Sequence, residues 1–496
     1  MKYDILIIGS GLGGLVSGAI LSKNGFNVCV LEKGPKPGGC LQSYIKDGGL
    51  FETGVHYIGS MSQGQTLYKI LDYLGIIPEL SLKQLDVNGF DRIRFKGDST
   101  EYKYAQGYDN FIDTLSSRFP EEHKNIEEYC RILKNVCDKF PLYKLYNGNF
   151  VDKLDVIELD TYTEIAKITR NEKLRNVLAA TNPLYDGIKH RTPFYIHALI
   201  MNSYIESAWR FNNGGNELVN ALINVIKQAG GTTLTSKNVT KLVEEGGKIA
   251  KIYTEDGDVF EANNVISAIH PSQTVNLVET KMFRPVFRRR FAEFKQTVSP
   301  FVVNAVLKKP LYTENSNYYC YSTDNVWDYH NAKDAWPGVV SIFPTLEHQG
   351  YYSVSVLSNY AYEYLDKWHN SYSTYYKKSC RGEDYEDLKA QLSDKIIDSV
   401  SEIFPEIKNN VSIHSMTGLT YRDHIGAING SFYGISKDHN DPLKTFILPQ
   451  TKIPNLFFTG QNLNVHGVYG VTITSLITCS YFIGINNLLY DIQRER

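Results

Sequence analysis

The stretch Asp4-Ile-Leu-Ile-Ile-Gly-Ser-Gly-Leu-Gly-Gly14, continued by Leu15–Lys23 and by Asn27–Leu31 with Glu32 at its end, decides the fold. The apolar run Asp4–Ile8 predicts a buried strand, Leu15–Lys23 a helix and Asn27–Leu31 a second strand, so the chain opens on a βαβ unit. Gly9, Gly11 and Gly14 fit G-x-G-x-x-G between the first strand and the helix. The first glycine permits the tight turn. The second lets backbone N–H groups approach a pyrophosphate at the helix N-terminus, and the third packs helix against strand. Leu12 and Gly13 belong to the same turn. Glu32 lies 18 positions after Gly14, where its carboxylate accepts hydrogen bonds from the ribose hydroxyls of a dinucleotide. Strand, helix and acid in register distinguish this motif from a plain glycine-rich turn.

Around that unit the composition excludes several classes. The 496 residues suggest about three units of ordinary domain size. Lys plus Arg number 52 against 54 Asp plus Glu, and a net charge of −2 gives no field that would draw in nucleic acid generally. With 42% hydrophobic and 21% charged residues the chain is that of a folded globular protein. Seven cysteines, an odd number without a CxxC pair, argue against a disulfide framework and a zinc site and for a reducing compartment. The opening MKYDILIIGSG has no basic region, apolar core and cleavage site in sequence, which predicts a cytoplasmic rather than secreted protein. The 35 tyrosines suit apolar cavities, because tyrosine offers a flat hydrophobic body with one polar tip. Val468–Tyr490 carries no charge and is long enough to cross a bilayer. Its Thr472, Thr474, Ser475, Thr478, Asn486 and Asn487 predict a buried helix instead.

Further along, Phe111–Phe140 turns helical after a start at Pro120-Glu121-Glu122, and Val239–Ala268 reads as an antiparallel meander closing on a buried strand, Val265–Ala268. Phe301–Leu307, Val339–Phe343 and Tyr351–Leu357 predict strands of another sheet, and Asp384–Phe404 predicts a helix. The histidines lack metal-site spacing. Ser431 sits in no nucleophile elbow. Arg288-Arg289-Arg290 reads as a solvated helix face, with anionic lipid headgroups as the alternative partner.

Three segments carry family resemblances. Gly38-Gly39-Cys40-Leu41-Gln42-Ser43 resembles the second glycine motif of glutathione-reductase-type and amine-oxidase-type flavoproteins, which NAD dehydrogenases do not carry. Leu456–Asn462 resembles their late strand and turn against the flavin ribityl chain and pyrophosphate. Such proteins usually have Asp where this chain has Asn462, so the contact here is neutral. The helix that begins near Gly470 and Val471 would direct its positive dipole end at the flavin. Finally, Phe51-Glu-Thr-Gly-Val-His-Tyr-Ile-Gly59 resembles the FDTGxHYIG segment of the retinol saturase family, within the wider group of phytoene desaturases and carotenoid isomerases. The likeness continues at Asn317–Tyr321, Arg381–Glu386 and Pro454–Gly460. The family's apolar insertion is short around Phe140–Phe150, so any membrane contact is expected to be peripheral.

The resemblance implies an α/β fold: a glutathione-reductase-like, Rossmann-type FAD-binding domain from segments 1–80, 205–275 and 440–496, with an inserted α+β substrate domain of mixed sheet and covering helices from 81–204 and 276–439. It implies FAD held by Gly9, Gly11, Leu12, Gly13, Gly14, Glu32, Lys33, Gly38, Gly39, Ser43, His56, Val239, Gly460, Asn462, Gly470 and Val471. The substrate, an apolar polyene or isoprenoid-like lipid, is assigned to Tyr57, Gly214, Gly215, Tyr433 and His466. His56, Tyr57 and Tyr433 are the candidate catalytic groups. For His56 and Tyr433 an ordinary core role is the alternative, and for Gly214-Gly215 a helix-capping turn. The expected reaction is saturation of a conjugated C=C bond, with isomerisation or desaturation at the same site, or lipid binding without turnover, as alternatives. No second G-x-G-x-x-G follows a strand, so the electron donor is unassigned.

Overall fold

A computed structural model describes residues 2–148, 150–329 and 336–494. Met1, Asn149, 330–335 and 495–496, which fall within the predicted domain segments and, for Asn149, within the Phe140–Phe150 stretch, lie outside the described residues.

The opening βαβ unit forms as read. Strand Lys2–Ile8 runs parallel to Val28–Leu31 on one side and to Val259–Ser267 on the other, with helix Leu12–Lys23 between the first two. Ile5, Leu6 and Ile7 are fully buried, as a central parallel strand covered on both faces requires. The sheet has eight strands in the order Thr232–Leu234, Val28–Leu31, Lys2–Ile8, Val259–Ser267, Lys248–Thr254, Val239–Glu245 and Val278–Glu279, with Leu456–Phe458 paired to Val259–Ser267. The predicted meander supplies three of these. Val259–Ser267 is antiparallel to Lys248–Thr254 at its start and parallel to Lys2–Ile8 over most of its length, so it joins hairpin and parallel sheet.

The second sheet has seven strands, ordered Ser412–Met416, Pro300–Leu307, Tyr351–Asn359, Val339–His348, Asn317–Tyr321, Asp91–Phe95 and Tyr102–Tyr104. It is mixed: Asn317–Tyr321 pairs in parallel with Asp91–Phe95, and the other neighbours are antiparallel. Leu392, Ile396 and Val400 of helix Glu383–Ser401 pack on Phe301, Val303 and Val354 of this sheet. That helix ends short of the predicted Phe404 because Phe404 precedes Pro405, which drives it out of the helical region. The predicted Phe111–Phe140 helical stretch is two helices, Tyr108–Ser116 and His123–Asp138, parted by a single tight turn at Pro120–Glu122. Proline lacks the N–H that a continuous helix needs.

The uncharged C-terminal run is likewise divided. Gly484, at φ +86°, separates helix Gly467–Ile483 from Ile485–Gln493. Among the described residues no helix is long and apolar enough to cross a membrane. The hydroxyls of the first helix are satisfied internally: Thr472 and Thr474 donate to the Val468 and Gly470 carbonyls (2.8 and 3.0 Å), and Thr478 donates to the Phe458 carbonyl (3.1 Å). Ser475 reaches the carbonyl of Gly13 at 3.3 Å, which ties this helix to the opening glycine turn.

Candidate active site

Two cavities meet at the C-terminal edge of the parallel strands. The larger, about 510 Å³, is bounded by the Gly9–Gly13 turn, Glu32 and Lys33, Gly38–Gln42, Val239, Gly460–Asn462, and Gly467, Val468 and Val471. Part of its wall is main chain, where the elements approach too closely to admit side chains. A Cβ on Gly13 would lie 2.7 Å from the Gly460 Cα, and one on Gly39 would lie 3.2 Å from the Gly11 Cα. Gly14 does not line the cavity. Its Cβ would stand 2.0 Å from the Gly9 carbonyl oxygen, so it serves the helix-to-strand packing read from the motif.

Glu32 is buried and its carboxylate is anchored by the Ser10 N–H and Oγ (3.1 and 2.5 Å) and the Gly34 N–H (2.8 Å). Asn462 accepts from the Ile435 N–H at 3.0 Å. The first turns of Leu12–Lys23 and Gly467–Ile483 both line this cavity, which puts two positive helix ends on it. His270 adds a buried ring on the same wall whose Nε2 has no hydrogen-bond partner, and burial lowers its pKa to about 4. A dinucleotide answers each feature: pyrophosphate for the helix ends and bare glycine N–H groups, ribose for Glu32, a polar edge for His270. The residues present fit FAD.

The smaller cavity, about 110 Å³, is built from side chains. Three stacked pairs dominate it. His56 lies on Phe343 (centroids 4.1 Å, 11° between planes), Tyr57 on Tyr204 (4.2 Å, 22°) and Tyr433 on His466 (4.3 Å, 28°). Gly54, Val55, Phe432, Tyr433, Gly467 and Val468 line both cavities, so the two adjoin. Among the described residues, no Asp, Glu, Lys or Arg lines the smaller one. Burial holds the His56 and His466 pKa values down to about 3, so both imidazoles are neutral at neutral pH; Lys437 adds to the effect at His466. The Tyr57 hydroxyl donates to Asp91 (3.1 Å) and is within 2.9 Å of the Tyr319 hydroxyl, and the Tyr433 hydroxyl donates to the Pro183 carbonyl (3.1 Å). Asp91, fully enclosed and bonded by Asn317 at 2.7 Å, is pushed by burial up to about 7 against the pull of those hydrogen bonds.

Of the residues predicted for the cofactor, Gly9, Gly11, Leu12, Gly13, Glu32, Lys33, Gly38, Gly39, Val239, Gly460, Asn462 and Val471 converge on the larger cavity, while His56 and Gly470 belong to the smaller. Ser43 is a correction. It lines neither cavity, its N–H donates to Asn216 (3.1 Å), and its hydroxyl lies against Gly214. Gly214 and Gly215 are likewise removed from the substrate space. Gly214, at φ +79°, packs on Ser43, and a Cβ on Gly215 would strike the Leu41 carbonyl at 2.4 Å. They let strand Ala208–Phe211 turn into helix Asn216–Gln228 behind the second glycine loop. Close backbone packing and close ligand approach call for the same residue, which is why sequence did not separate them.

Sequence reasoning missed Phe343, Tyr204, His270 and the buried carboxyls Glu52 and Asp91. Glu52 stood inside the quoted Phe51–Gly59 segment, and Tyr319 and Asn317 inside Asn317–Tyr321, but nothing local marks them as meeting.

Comparison with known proteins accords with this geometry. Residues 12–479 match the model of the flavin containing amine oxidoreductase family. The chain is 28% identical to all-trans-retinol 13,14-reductase of Homo sapiens over 99% of its own length and 87% of that protein. It is 23% identical to prolycopene isomerase 1 of an Oncidium hybrid cultivar, over 93% of this chain and 80% of the other. Among solved structures, an oxidoreductase from Methanosarcina mazei superposes with a TM-score of 0.65 at 17% identity, over 95% of this chain and 99% of that one. The chain therefore belongs to the flavin-containing amine oxidoreductase family, with retinol saturases and carotenoid isomerases among its relatives, and its cofactor is FAD.

Proposed function

We propose that this protein is an FAD-dependent oxidoreductase that saturates one C=C bond of a conjugated, retinoid- or carotenoid-like apolar lipid. One observation carries the choice: the space adjoining the dinucleotide cavity is walled by neutral aromatic and aliphatic side chains. An amine substrate, cationic at neutral pH, finds no carboxylate there, whereas a slice of polyene stacks on the rings. Reduced FAD supplies a hydride to one carbon of an activated double bond. The chain positions that bond between the His56, Tyr57 and Tyr433 rings, excludes water, and furnishes the proton for the neighbouring carbon. Cofactor contacts are assigned to the twelve predicted residues that line the larger cavity, and substrate contacts to Tyr57, Tyr433 and His466.

The similarity to prolycopene isomerases favours a second reading at the same site, redox-neutral isomerisation. Chemically reduced enzyme is incubated anaerobically with all-trans-retinol and with a cis-carotenoid, and the products are weighed by mass spectrometry. A gain of two hydrogens, with the flavin reoxidised, is the expected result. Unchanged mass with a shifted absorbance makes the protein an isomerase, and unchanged mass and absorbance make it a binding protein.

Access to a membrane-borne substrate is assigned to one surface. Arg288 and Arg290 are not solvated headgroup ligands: Arg288 donates to the Val275 and Val278 carbonyls, and Arg290 to those of Leu443, Lys444 and Phe446. The second set draws segment 443–448 against helix Pro285–Ala292, so that exposed Val286, Leu443 and Leu448 share one surface with exposed Arg289 and Lys444. Apolar side chains beside cations suit the headgroup layer of an anionic bilayer.

A further inference from the structure

We propose that Glu52 and His56 form a proton relay into the aromatic cavity, Glu52 holding the proton and His56 handing it to the substrate carbon. The inference rests on the saturase reading. Both residues come from Phe51–Gly59, Glu52 ending strand Gly49–Glu52 and His56 one turn further on. The His56 Nδ1 lies 3.7 Å from the Glu52 Oε2, with both side chains more than nine-tenths buried. That is just beyond hydrogen-bond reach of roughly 2.6–3.2 Å, as is common before a ligand tightens a site. The parallel stack on Phe343 fixes the ring plane. With Nδ1 toward the carboxyl, Nε2 is the nitrogen left for the substrate.

Three of the tyrosine hydroxyls around the cavity are committed to other acceptors, and the Tyr143 hydroxyl, which makes no hydrogen bond, has its pKa raised well above the ordinary tyrosine value by burial. The Tyr57 and Tyr433 hydroxyls donate to Asp91 and to Pro183, and the Tyr469 hydroxyl donates to the Tyr143 carbonyl. His466 has Lys437 as the neighbour that affects its titration, and the Lys437 ammonium, pushed down to about 7 by burial, already donates to the Thr445 and Asn462 carbonyls (2.9 and 3.0 Å). The charge states suit the relay. Burial keeps His56 neutral and pushes the Glu52 carboxyl up to about 8, against the pull of Arg210 and the Gly215 N–H. At neutral pH the pair thus stores a proton without burying a charge.

In the step, the Oε2–H bond of Glu52 breaks as an Nδ1–H bond forms. The Nε2–H bond breaks as a C–H bond forms at the carbon next to the one that accepts hydride from reduced flavin, using the electron pair of the former π bond. His56 ends neutral, as its other tautomer. The carboxylate left behind faces the Arg210 guanidinium, and solvent protons restore it after product leaves.

Two measurements test this. In the apoprotein, infrared difference spectra are expected to show a protonated carboxyl that titrates near pH 8 and is missing in Glu52→Gln, with Asp91→Asn assigning the band of Asp91, whose carboxyl burial also raises. In dithionite-reduced holoenzyme mixed with all-trans-retinol, Glu52→Gln is expected to slow saturation roughly 10²–10⁴-fold with flavin content and substrate affinity unchanged, Glu52→Asp to recover part of the rate, and the wild-type rate to fall as pH rises through about 8. A Glu52→Gln rate within about threefold of wild type, or an infrared band that survives the substitution, overturns the relay. If the band behaves as expected but wild type saturates no polyene, the saturase reading fails while the protonation of the pair stands.

Discussion

The two cavities that meet at Gly54, Val55 and Gly467 are built in opposite ways. The larger is a gap between main-chain segments whose glycines touch. The smaller is a cage of rings contributed by Phe51–Gly59, the helix Phe194–Glu206, the strand Val339–His348 and the turn at Phe432–Tyr433. A backbone-built site tolerates no added atom but is indifferent to most side chains. A side-chain-built site depends on the volume, plane and protonation of a few groups. The first suits a cofactor of fixed shape, and the second a substrate whose reacting bond must be aligned.

The difference is broken most severely at Gly14. Gly14→Ala drives a methyl to 2.0 Å from the Gly9 oxygen, and the purified variant is expected to carry less than about a tenth of the wild-type flavin by visible absorbance. Normal flavin loading would show that the turn yields and that the backbone account is mistaken. In the other cavity, Phe343→Ala removes the partner of His56 from a buried position. Denaturant unfolding is expected to lose about 3–5 kcal/mol, with the purified protein still yellow. Loss of flavin alongside would merge the two regions into one.

Protonation sharpens the contrast further. Asp91 and Glu52 have folded pKa values raised to about 7 and about 8 from ordinary carboxyl values near 4. Between those limits the unfolded chain releases protons that the folded protein keeps. The contribution of these two carboxyls to unfolding free energy therefore falls as pH rises from about 4 to 8, opposite in sign to that of the buried neutral His56, His270 and His466, which grows as pH rises from about 3–4 toward the ordinary imidazole value. The stability that wild-type apoprotein holds over Glu52→Gln is expected to shrink as pH rises across that window; a difference that does not change with pH would remove the Glu52 assignment. The smallest effect on either cavity comes from the surface. Arg289→Ser with Lys444→Ser is expected to weaken sedimentation with phosphatidylserine vesicles by about 1 kcal/mol per cation lost, while unfolding stays within about 0.5 kcal/mol. Unchanged vesicle binding would move the membrane contact elsewhere.

Much of the larger site was legible because its determinants are local. Gly9, Gly11 and Gly14, then Gly38-Gly39, then Gly460, each announce a tight main-chain turn within a few residues, and the strand before each turn fixes the edge on which it opens. Gly214, Gly215 and Ser43, assigned through family resemblance, pack on one another and on the Leu41 carbonyl rather than along either cavity, since close packing of two main-chain segments calls for the same small residues as close approach of a ligand. The smaller site was partly named, through His56, Tyr57, Tyr433, Gly470 and His466, but its stacking partners were not. Phe343 is 287 positions from His56 and reads as any apolar residue of a strand.

By itself the sequence determined the opening βαβ unit, the meander, three of the second sheet's seven strands and the buried character of the first C-terminal helix, because periodicity, turn residues and capping act over a few neighbours. The tertiary structure alone decided which glycines face empty space, which rings stack, and that Glu52 and Asp91 are enclosed deeply enough to keep their protons. Those properties belong to desolvation and to the convergence of distant segments, and no local pattern of residues encodes them.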